Sequence, residues 1–318
     1  MARTYPSDPA DAALQLFRQW FGAHYARSVA VEACEHAEGT LLATLTVARR
    51  WKLTVSIVNT LAPDADLRWD AARAAVERRL DAQGFSLGLW VPRGAPLPAG
   101  EPGLSELALA VEEARQLPDG RKEMLRIVRL FLRRTSTKGS VLTVLGGLSS
   151  QWAQFTNRVP GSFQLNASEL FRLPFPPEER EALIERIVLA AGQPEADESQ
   201  TIGAEDSWTV TPLEEGGSTV FGSPRPDNDE QSATLRRNLR KLLREASPAV
   251  QQPADAHALV VLGTATYADE EKLTWALRGM DPTLYSGYDL MAVLADGVVK
   301  PLLQPGRSTL PWDAPLPA

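Results

Sequence analysis

Cysteine and histidine are scarce in this chain of 318 residues, which has one cysteine and three histidines. A single cysteine excludes an internal disulfide, so packing alone has to hold the fold. Cys34 and His36 lie together in the run 29–39, VAVEACEHAEG. On a strand they share one face with Glu32, but a closed zinc site needs four ligands. We therefore interpret the run as a strand that reaches solvent, and we expect no metal and no cofactor.

Long apolar runs are also missing, since no stretch approaches the roughly 20 residues that a membrane-spanning helix needs. The first residues, MARTYPSDPADAALQ, lack the basic and then apolar layout of a secretory signal. The sequence therefore predicts no membrane contact. The expected setting is cytoplasmic, in a bacterial-type cell.

Familiar catalytic motifs are absent from the sequence. The chain has no G-x-S-x-G elbow, no H-E-x-x-H, no EF-hand loop, no C-x-x-C pair and neither of the common phosphate-binding glycine patterns. Gly146 and Gly147 follow a strand-like run, and we interpret them as a turn. The sequence thus indicates no enzyme class.

Basic residues are nearly absent from one segment, 195–230, which holds ten acids and a single base, Arg225. The segment carries a charge of −9 in a chain whose net charge is −7, so the remainder carries +2. Its glycines, prolines and hydroxyl residues are typical of a linker. Trp208, Val210, Val220 and Phe221 are the exceptions that would dock such a linker onto the body.

Periodicity gives the expected elements. Helical spacing predicts helices at 9–24, 64–81, 103–116, 177–191, 231–246 and 269–280. Runs rich in Val, Leu, Ile and Thr predict strands at 27–34, 40–48, 51–59, 85–92, 123–134, 140–147, 257–264, 288–295 and 298–303. The second and third strands should form a hairpin around Arg49 and Arg50.

The expected fold is α/β in the mixed α+β sense, with mixed sheets and flanking helices. We predict a main body at 1–192, a flexible acidic linker at 193–230 and a small C-terminal α/β unit at 231–318. The last of these begins with a basic helix.

The element order of residues 9–91, helix–strand–strand–strand–helix–strand, resembles that of the restriction-endonuclease-like core. That family places an Asp on one central strand and Glu-x-Lys on the next to hold a metal. Here the matching runs, TLLATLTVA and WKLTVSIVN, contain no acid. The resemblance therefore covers element order alone, and fold does not imply function.

Two basic segments, 121–138 and 231–246, are the strongest charge features of the body. Such segments attract phosphates through counterion release, and Phe131, Trp152 and Phe155 lie near the first as candidates for base stacking. The predicted binding residues, for nucleic acid or an acidic partner, are Arg126, Arg129, Arg133, Arg134, Lys138, Arg236, Arg237, Arg240, Lys241 and Arg244.

The leading interpretation is a non-enzymatic binding or adaptor protein, with protein partners and with nucleic acid as a further partner, in a nucleic-acid-handling or defence assembly. The alternative is a hydrolase or nuclease-like enzyme whose active site is not visible in the sequence. A third interpretation is a structural partner in a homo-oligomer.

Overall fold

The first two helices begin where acidic side chains cap them. α1 (Pro9–Tyr25) begins after Asp8, whose carboxylate accepts a hydrogen bond from the N–H of Ala10 at 2.9 Å. α2 (Leu67–Ala82) begins after Asp66, which accepts from two N–H groups of the first turn. Each cap satisfies donors that a helix start leaves without an intrahelical partner.

The structure is a computed structural model, and it describes residues 3–37, 39–61, 66–117, 122–146, 158–173, 177–193, 199–224, 231–246, 252–263, 270–303 and 309–313. The other helices within these ranges are α3 (Gly103–Arg115), α4 (Pro177–Ala191), α5 (Gln231–Ala246) and α6 (Glu270–Leu277). The strands are β1 (Val29–Ala37), β2 (Thr40–Val47), β3 (Trp51–Asn59), β4 (Leu87–Trp90), β5 (Lys122–Ser136), β6 (Ser140–Leu145), β7 (Gly161–Asn166), β8 (Gln200–Pro212), β9 (Thr219–Phe221), β10 (Ala256–Gly263), β11 (Leu290–Ala295) and β12 (Val298–Leu303). Within the described ranges, no helix has both the length and the apolar character that crossing a bilayer requires.

The first sheet has the strand order β1-β2-β3-β10-β11-β12. β2 pairs with β3 around the predicted hairpin, and β10 runs parallel to both β3 and β11. α1 covers one face of this sheet, and α5 and α6 cover the other. Because β10 pairs directly with β3, the C-terminal segment completes the first sheet. The small C-terminal unit predicted at 231–318 is therefore not confirmed as a separate part.

The second sheet has the strand order β6-β7-β5-β8-β4-β9. β8 lies between β5 and β4 and is antiparallel to both. One face of the sheet is covered along its length, by α2 and α3 over the β4–β8 end and by α4 over the β5–β7 end. With two mixed sheets and their flanking helices, the fold is α+β, as predicted.

The predicted flexible linker, 193–230, is not confirmed, because it contains β8 and β9. Asp206, counted among the solvated acids of the linker, lies on the covered face of β8 and is 0% exposed. Its carboxylate accepts hydrogen bonds from the N–H of Arg172 at 2.9 Å and from Nε1 of Trp208 at 3.1 Å. These bonds offset the cost of removing a charged group from water. The acidic composition of the segment was therefore not sufficient to predict that it is exposed to solvent.

The opposite face of the second sheet is buried at one end and exposed to solvent at the other. At the β4–β9 end, the rings of Trp90 and Phe221 stack with centroids 3.9 Å apart. They join an apolar cluster with Phe17 of α1 and Val55 of β3, so the first sheet covers this end. At the β5–β8 end the same face reaches solvent, and this is the surface that positions the candidate site.

At the uncovered end, the order of the strands in the sheet differs from their order in the sequence. β5 and β6 are joined by only three residues, yet β7 lies between them. The connection passes the start of β7, where Gly161 has φ +119°. A Cβ there would lie 3.1 Å from the Ser136 carbonyl oxygen and 3.3 Å from the Phe163 ring. Glycine meets both requirements, the positive φ and the close approach.

Candidate nucleic-acid interface

Alternation along β5 separates a covered face from an uncovered one. Val128, Leu130 and Leu132 are buried under α4. Arg129, Phe131 and Arg133 are exposed on the opposite side. The period of two is what a strand imposes, and it places a ring between two guanidinium groups.

The neighbouring strands extend this uncovered surface. We call it the open face, and it consists of alternate residues 129–133 of β5, 141–145 of β6, 162–166 of β7 and 201–205 of β8. Its positions on β6 and β8 are exposed, and those on β7 are half-buried. Phe131 is 38% exposed, although a phenylalanine of the core would be buried.

The pairing register places the side chains of the open face in rows. Phe131 lies opposite Asn166 on one side and Thr201 on the other, and Asn166 lies opposite Leu145. Arg133 lies opposite Gln164, which in turn lies opposite Thr143. Adjacent strands are about 4.8 Å apart and alternate residues about 7 Å apart. Arg129 and Arg133 therefore lie on either side of the Phe131 row, each about 7 Å from it.

The charge of the open face is mostly positive at its centre. Within the described residues, the guanidinium groups of Arg129 and Arg133 have no hydrogen bond or ion pair in the structure. Two acids lie at the border: Glu205, two residues along β8 from the position opposite Arg129, and Glu169, whose carboxylate is 3.5 Å from the backbone N of Arg129. Both acids lie at the Arg129 end of the open face, so the positive charge is least opposed at the Arg133 end.

Gly203 leaves an open spot beside the arginines. It lies opposite Arg129 in the register, and a Cβ built on it would meet no atom within 4 Å. Glycine inside a strand weakens that strand and often marks a place where a ligand or another backbone approaches closely. Packing within the described chain gives no reason for this glycine.

Two other predicted binding residues of the first basic segment have different environments. Arg134 lies on the covered face, where its Nη2 donates to the carbonyl of Ala191 at 2.6 Å and its guanidinium lies 5.2 Å from the Phe163 ring centroid. It closes the C-terminus of α4, as basic residues commonly do, and its role as a binding residue stays a prediction. Lys138 is exposed in the β5–β6 connection, at the rim of the open face.

Three of the sequence candidates are described in part or not at all. The backbone of Arg126 pairs with Asp206, and its side chain lies outside the described side chains. Trp152 and Phe155 lie outside the described residues.

The second basic segment, α5, is divided between structural and exposed positions. Arg236 donates to the carbonyl oxygens of Trp275, Ala276 and Arg278 at 2.9, 3.2 and 2.9 Å, which closes the C-terminus of α6. Its guanidinium is thus engaged within the fold, and its role as a binding residue stays a prediction.

The other four bases of α5 are exposed, namely Arg237, Arg240, Lys241 and Arg244. Lys241 makes a 3.8 Å ion pair with Glu245. Hydrogen bonds from Thr283 lower the pKa of Asp281, and the charge of Arg244 lowers it further. Because α5 covers the first sheet, the structure does not bring these residues together with Arg129 and Arg133 on one sheet.

A polar network that the sequence did not reveal lies on α2. Glu77 is 0% exposed and accepts hydrogen bonds from the N–H and hydroxyl of Ser7 at 2.7 and 3.0 Å, from Nε of Arg73 at 3.1 Å and from the N–H of Val220 at 3.0 Å. Its oxygens are filled by bonds that fasten the N-terminal segment and β9 to the helix. Because Glu77 is fully buried and bonded in this way, we interpret it as a structural carboxylate.

Asp81, one turn further along α2, is bonded in the same manner. It accepts from Arg3 at 2.8 Å, from the N–H of Ser218 at 2.6 Å and from the hydroxyl of Tyr5. The bond to Asp81 is the main cause that raises the pKa of Tyr5. We interpret Glu77 and Asp81 as structural residues that hold the N-terminal segment and the start of β9 against α2.

The run around Cys34 has a structural explanation as well. His36 Nε2 lies 2.8 Å from Asp11 Oδ1 and 3.9 Å from Asp8 Oδ2, at the start of α1. Burial, with a smaller contribution from Asp11, raises the pKa of the Cys34 thiol. The thiol is thereby less ionised near neutral pH and less nucleophilic. Among the described residues, no group of three or more His, Cys, Asp or Glu side chains is arranged to hold a metal.

The chain matches no protein-family model, and neither curated proteins nor solved structures include a significant match to it. The open face is therefore the feature of the chain that bears most directly on function.

Proposed function

We propose that this protein is a non-enzymatic binding protein whose open face takes single-stranded nucleic acid. The observation that carries the proposal is the exposed Phe131 between the exposed Arg129 and Arg133, on a face that the described helices leave uncovered. An aromatic ring gives a base a surface on which to stack, and the two guanidinium groups give phosphates their counter-charges.

A single strand fits this face better than a duplex does. In a duplex the bases are already stacked on one another and cannot reach a protein ring, whereas the bases of a single strand are free to splay out. The amide of Gln164 and the hydroxyls of Thr143 and Thr201 border the central row. They supply donors and acceptors for base edges without adding negative charge.

The exposed bases of α5 belong to a second proposed contact, with an acidic protein partner. Arg237, Arg240 and Lys241 recur at helical spacing on the outer side of α5, away from the buried Leu239 and Leu243. A charged helix face of this kind steers an oppositely charged partner more than it adds affinity. Among the described residues, the enzyme interpretation has no such supporting observation, since Glu77 and Asp81 bond to the segments packed around α2.

The decisive experiment measures binding of the full chain to labelled single-stranded RNA, single-stranded DNA and duplex DNA by fluorescence anisotropy at several salt concentrations. For the double variant Arg129→Ala, Arg133→Ala, we expect weaker binding and a salt dependence that is shallower by about 1.4, because each lost phosphate contact removes about 0.7 from the slope on a single strand. The matched control is Arg237→Ala, Arg240→Ala, which removes the same charge from α5 and should leave the slope unchanged.

The aromatic contact is tested separately with Phe131→Ala and Phe131→Trp. Losing one stacked base costs about 1–3 kcal/mol, or about 5- to 150-fold in affinity. Tryptophan retains the stacking surface and should retain affinity. Equal loss in the open-face and α5 double variants, or no binding by the wild-type chain, would contradict the proposal.

A further inference from the structure

The outer strands of the two sheets differ in how they are protected from pairing with another chain. These strands are β1, β12, β9 and β6. β1 carries Glu32 and Glu35 and has a bulge between 31 and 33. β12 carries Lys300 and Pro301, and β9 is only three residues long and buried. Charge, proline, bulges and shortness all keep a sheet edge from recruiting a further strand.

β6 has none of these features. Its sequence, SVLTVL, is uncharged and rich in residues that favour strands. Val141 is 56% exposed and Leu145 is 44% exposed, so two apolar side chains lie in solvent at the edge of the open face. A strand of this composition at an edge is a template for another strand.

The direction of the backbone groups fixes how such a strand would pair. The carbonyl of Gly139 accepts a hydrogen bond from the N–H of Gly161, and the carbonyl of Leu145 accepts one from the N–H of Ala167, at 2.8 Å each. The backbone N–H and C=O groups of the odd-numbered residues of this segment therefore point towards β7. Alternate residues of a strand bond to opposite neighbours. The N–H and C=O groups of Leu142 and Val144 therefore point away from β7.

A second copy of β6 satisfies this edge in one register. In an antiparallel pairing with a two-fold axis through Thr143, Leu142 faces the partner subunit's Val144 and exchanges both backbone hydrogen bonds with it. Thr143 faces the partner subunit's Thr143 as a non-hydrogen-bonded pair, which agrees with its backbone groups pointing to β7. Val141 faces the partner subunit's Leu145, so each exposed apolar side chain meets another.

We propose that two copies of this chain associate through β6. The second sheet of one copy, with six strands, then joins the second sheet of the other in one continuous sheet of twelve strands. Because the two-fold axis is perpendicular to the sheet, both open faces lie on the same side. The dimer doubles the surface that presents Phe131 and its flanking arginines. The association itself needs no ligand and does not depend on the proposed function.

The first test measures the mass of the full chain by sedimentation equilibrium over a range of concentrations, without nucleic acid. We expect a dimer for the wild-type chain and a monomer for Thr143→Lys and for Thr143→Glu, since each places two like charges opposite each other at the axis. An equimolar mixture of the two variants should regain the dimer. Thr201→Lys is the matched control, because it adds the same charge to the open face away from the edge and should leave the dimer intact.

The second test fixes the register by cross-linking under mild oxidation with oxidised glutathione, in a Cys34→Ser background. Two Thr143→Cys residues would face each other with Cα atoms about 4.5 Å apart, within the range that a disulfide spans. Two Val141→Cys residues would lie several residues apart and should not cross-link. A wild-type chain that stays monomeric at every concentration, a dimer that Thr143→Lys leaves intact, or equal cross-linking at 141 and 143 would overturn the proposal.

Discussion

Arg172 and Asp296 form a buried ion pair that joins the two sheets. Arg172 lies in the segment after β7, and Asp296 lies in the turn between β11 and β12. Nη2 of Arg172 donates to Oδ1 of Asp296 at 2.7 Å, and the two side chains are 1% and 2% exposed. Asp296 has φ +48° and is followed by Gly297 at +76°, as in a tight hairpin turn. The contact fixes the hairpin of the first sheet against the second sheet.

The first prediction concerns this ion pair. Asp296→Asn keeps a residue that tolerates a positive φ but removes the charge that compensates Arg172. Removing one partner of a buried ion pair costs up to about 3–5 kcal/mol, and we expect a loss at or below the lower end because asparagine still accepts a hydrogen bond and Arg172 has further interactions. Urea unfolding followed by tryptophan fluorescence measures the change in the free energy of unfolding.

The control for the ion pair is the exposed pair of Lys241 and Glu245, 3.8 Å apart on α5. Glu245→Gln should change the free energy of unfolding by less than about 1 kcal/mol, since exposed pairs contribute little. A loss for Asp296→Asn no larger than that of the control would show that the pair is not needed to hold the sheets together.

Local signals in the sequence were sufficient for most elements. The six helices, the β2–β3 hairpin and the strands β10, β11 and β12 lie close to where periodicity predicts them. The two strands on either side of β5 were missed. β7 is short, and only Phe163 and Leu165 mark its buried face. β8 has alanine and aspartate, at 204 and 206, where the strand pattern calls for larger apolar residues.

Long-range partners explain the other differences. Asp206 was counted among solvated acids because its hydrogen bonds from Arg172 and Trp208 are evident only in the folded structure. Arg134 and Arg236 were predicted as binding residues from their charge, and each also donates to the last carbonyls of a helix far away in sequence. Counting charge along the chain cannot reveal such partners. Arg129 and Arg133 are exposed, and their role as binding residues stays a prediction.

The second prediction concerns Gly203. Its Cβ position is open, and its backbone is not in the left-handed region. Gly203→Val should therefore leave the free energy of unfolding unchanged or raise it by about 0.5–1 kcal/mol, because glycine is a poor strand residue. If nucleic acid approaches the open face at this point, the added side chain should weaken binding at the same time. Urea unfolding and anisotropy on the same preparation measure the two effects.

Weaker binding together with an unchanged or raised free energy of unfolding would exclude partial unfolding as its cause. Gly203→Ala is the graded control, with a smaller side chain and a smaller expected loss of affinity. Undiminished binding by Gly203→Val would mean that the ligand does not reach β8 opposite Arg129.

The third prediction concerns Tyr288, which is buried between α5 and the first sheet and donates to the carbonyl of Ala246 at 3.3 Å. Burial raises its pKa above the ordinary value of 10.0. Above pH 10 the unfolded chain loses this proton while the folded chain retains it, so stability falls as the pH rises towards the folded pKa. One such group steepens the fall by at most about 1.4 kcal/mol per pH unit.

In Tyr288→Phe the titrating hydroxyl is gone, so we expect the free energy of unfolding to fall less steeply above pH 10 than in the wild-type chain. Part of the fall should remain, because the hydrogen bond to Asp81 also raises the pKa of Tyr5. Tyr285→Phe, at a half-buried position three residues away, controls for the loss of a hydroxyl near the same site. Urea unfolding at a series of alkaline pH values measures the three slopes, and identical slopes for Tyr288→Phe and the wild-type chain would show that this phenol does not link folding to pH.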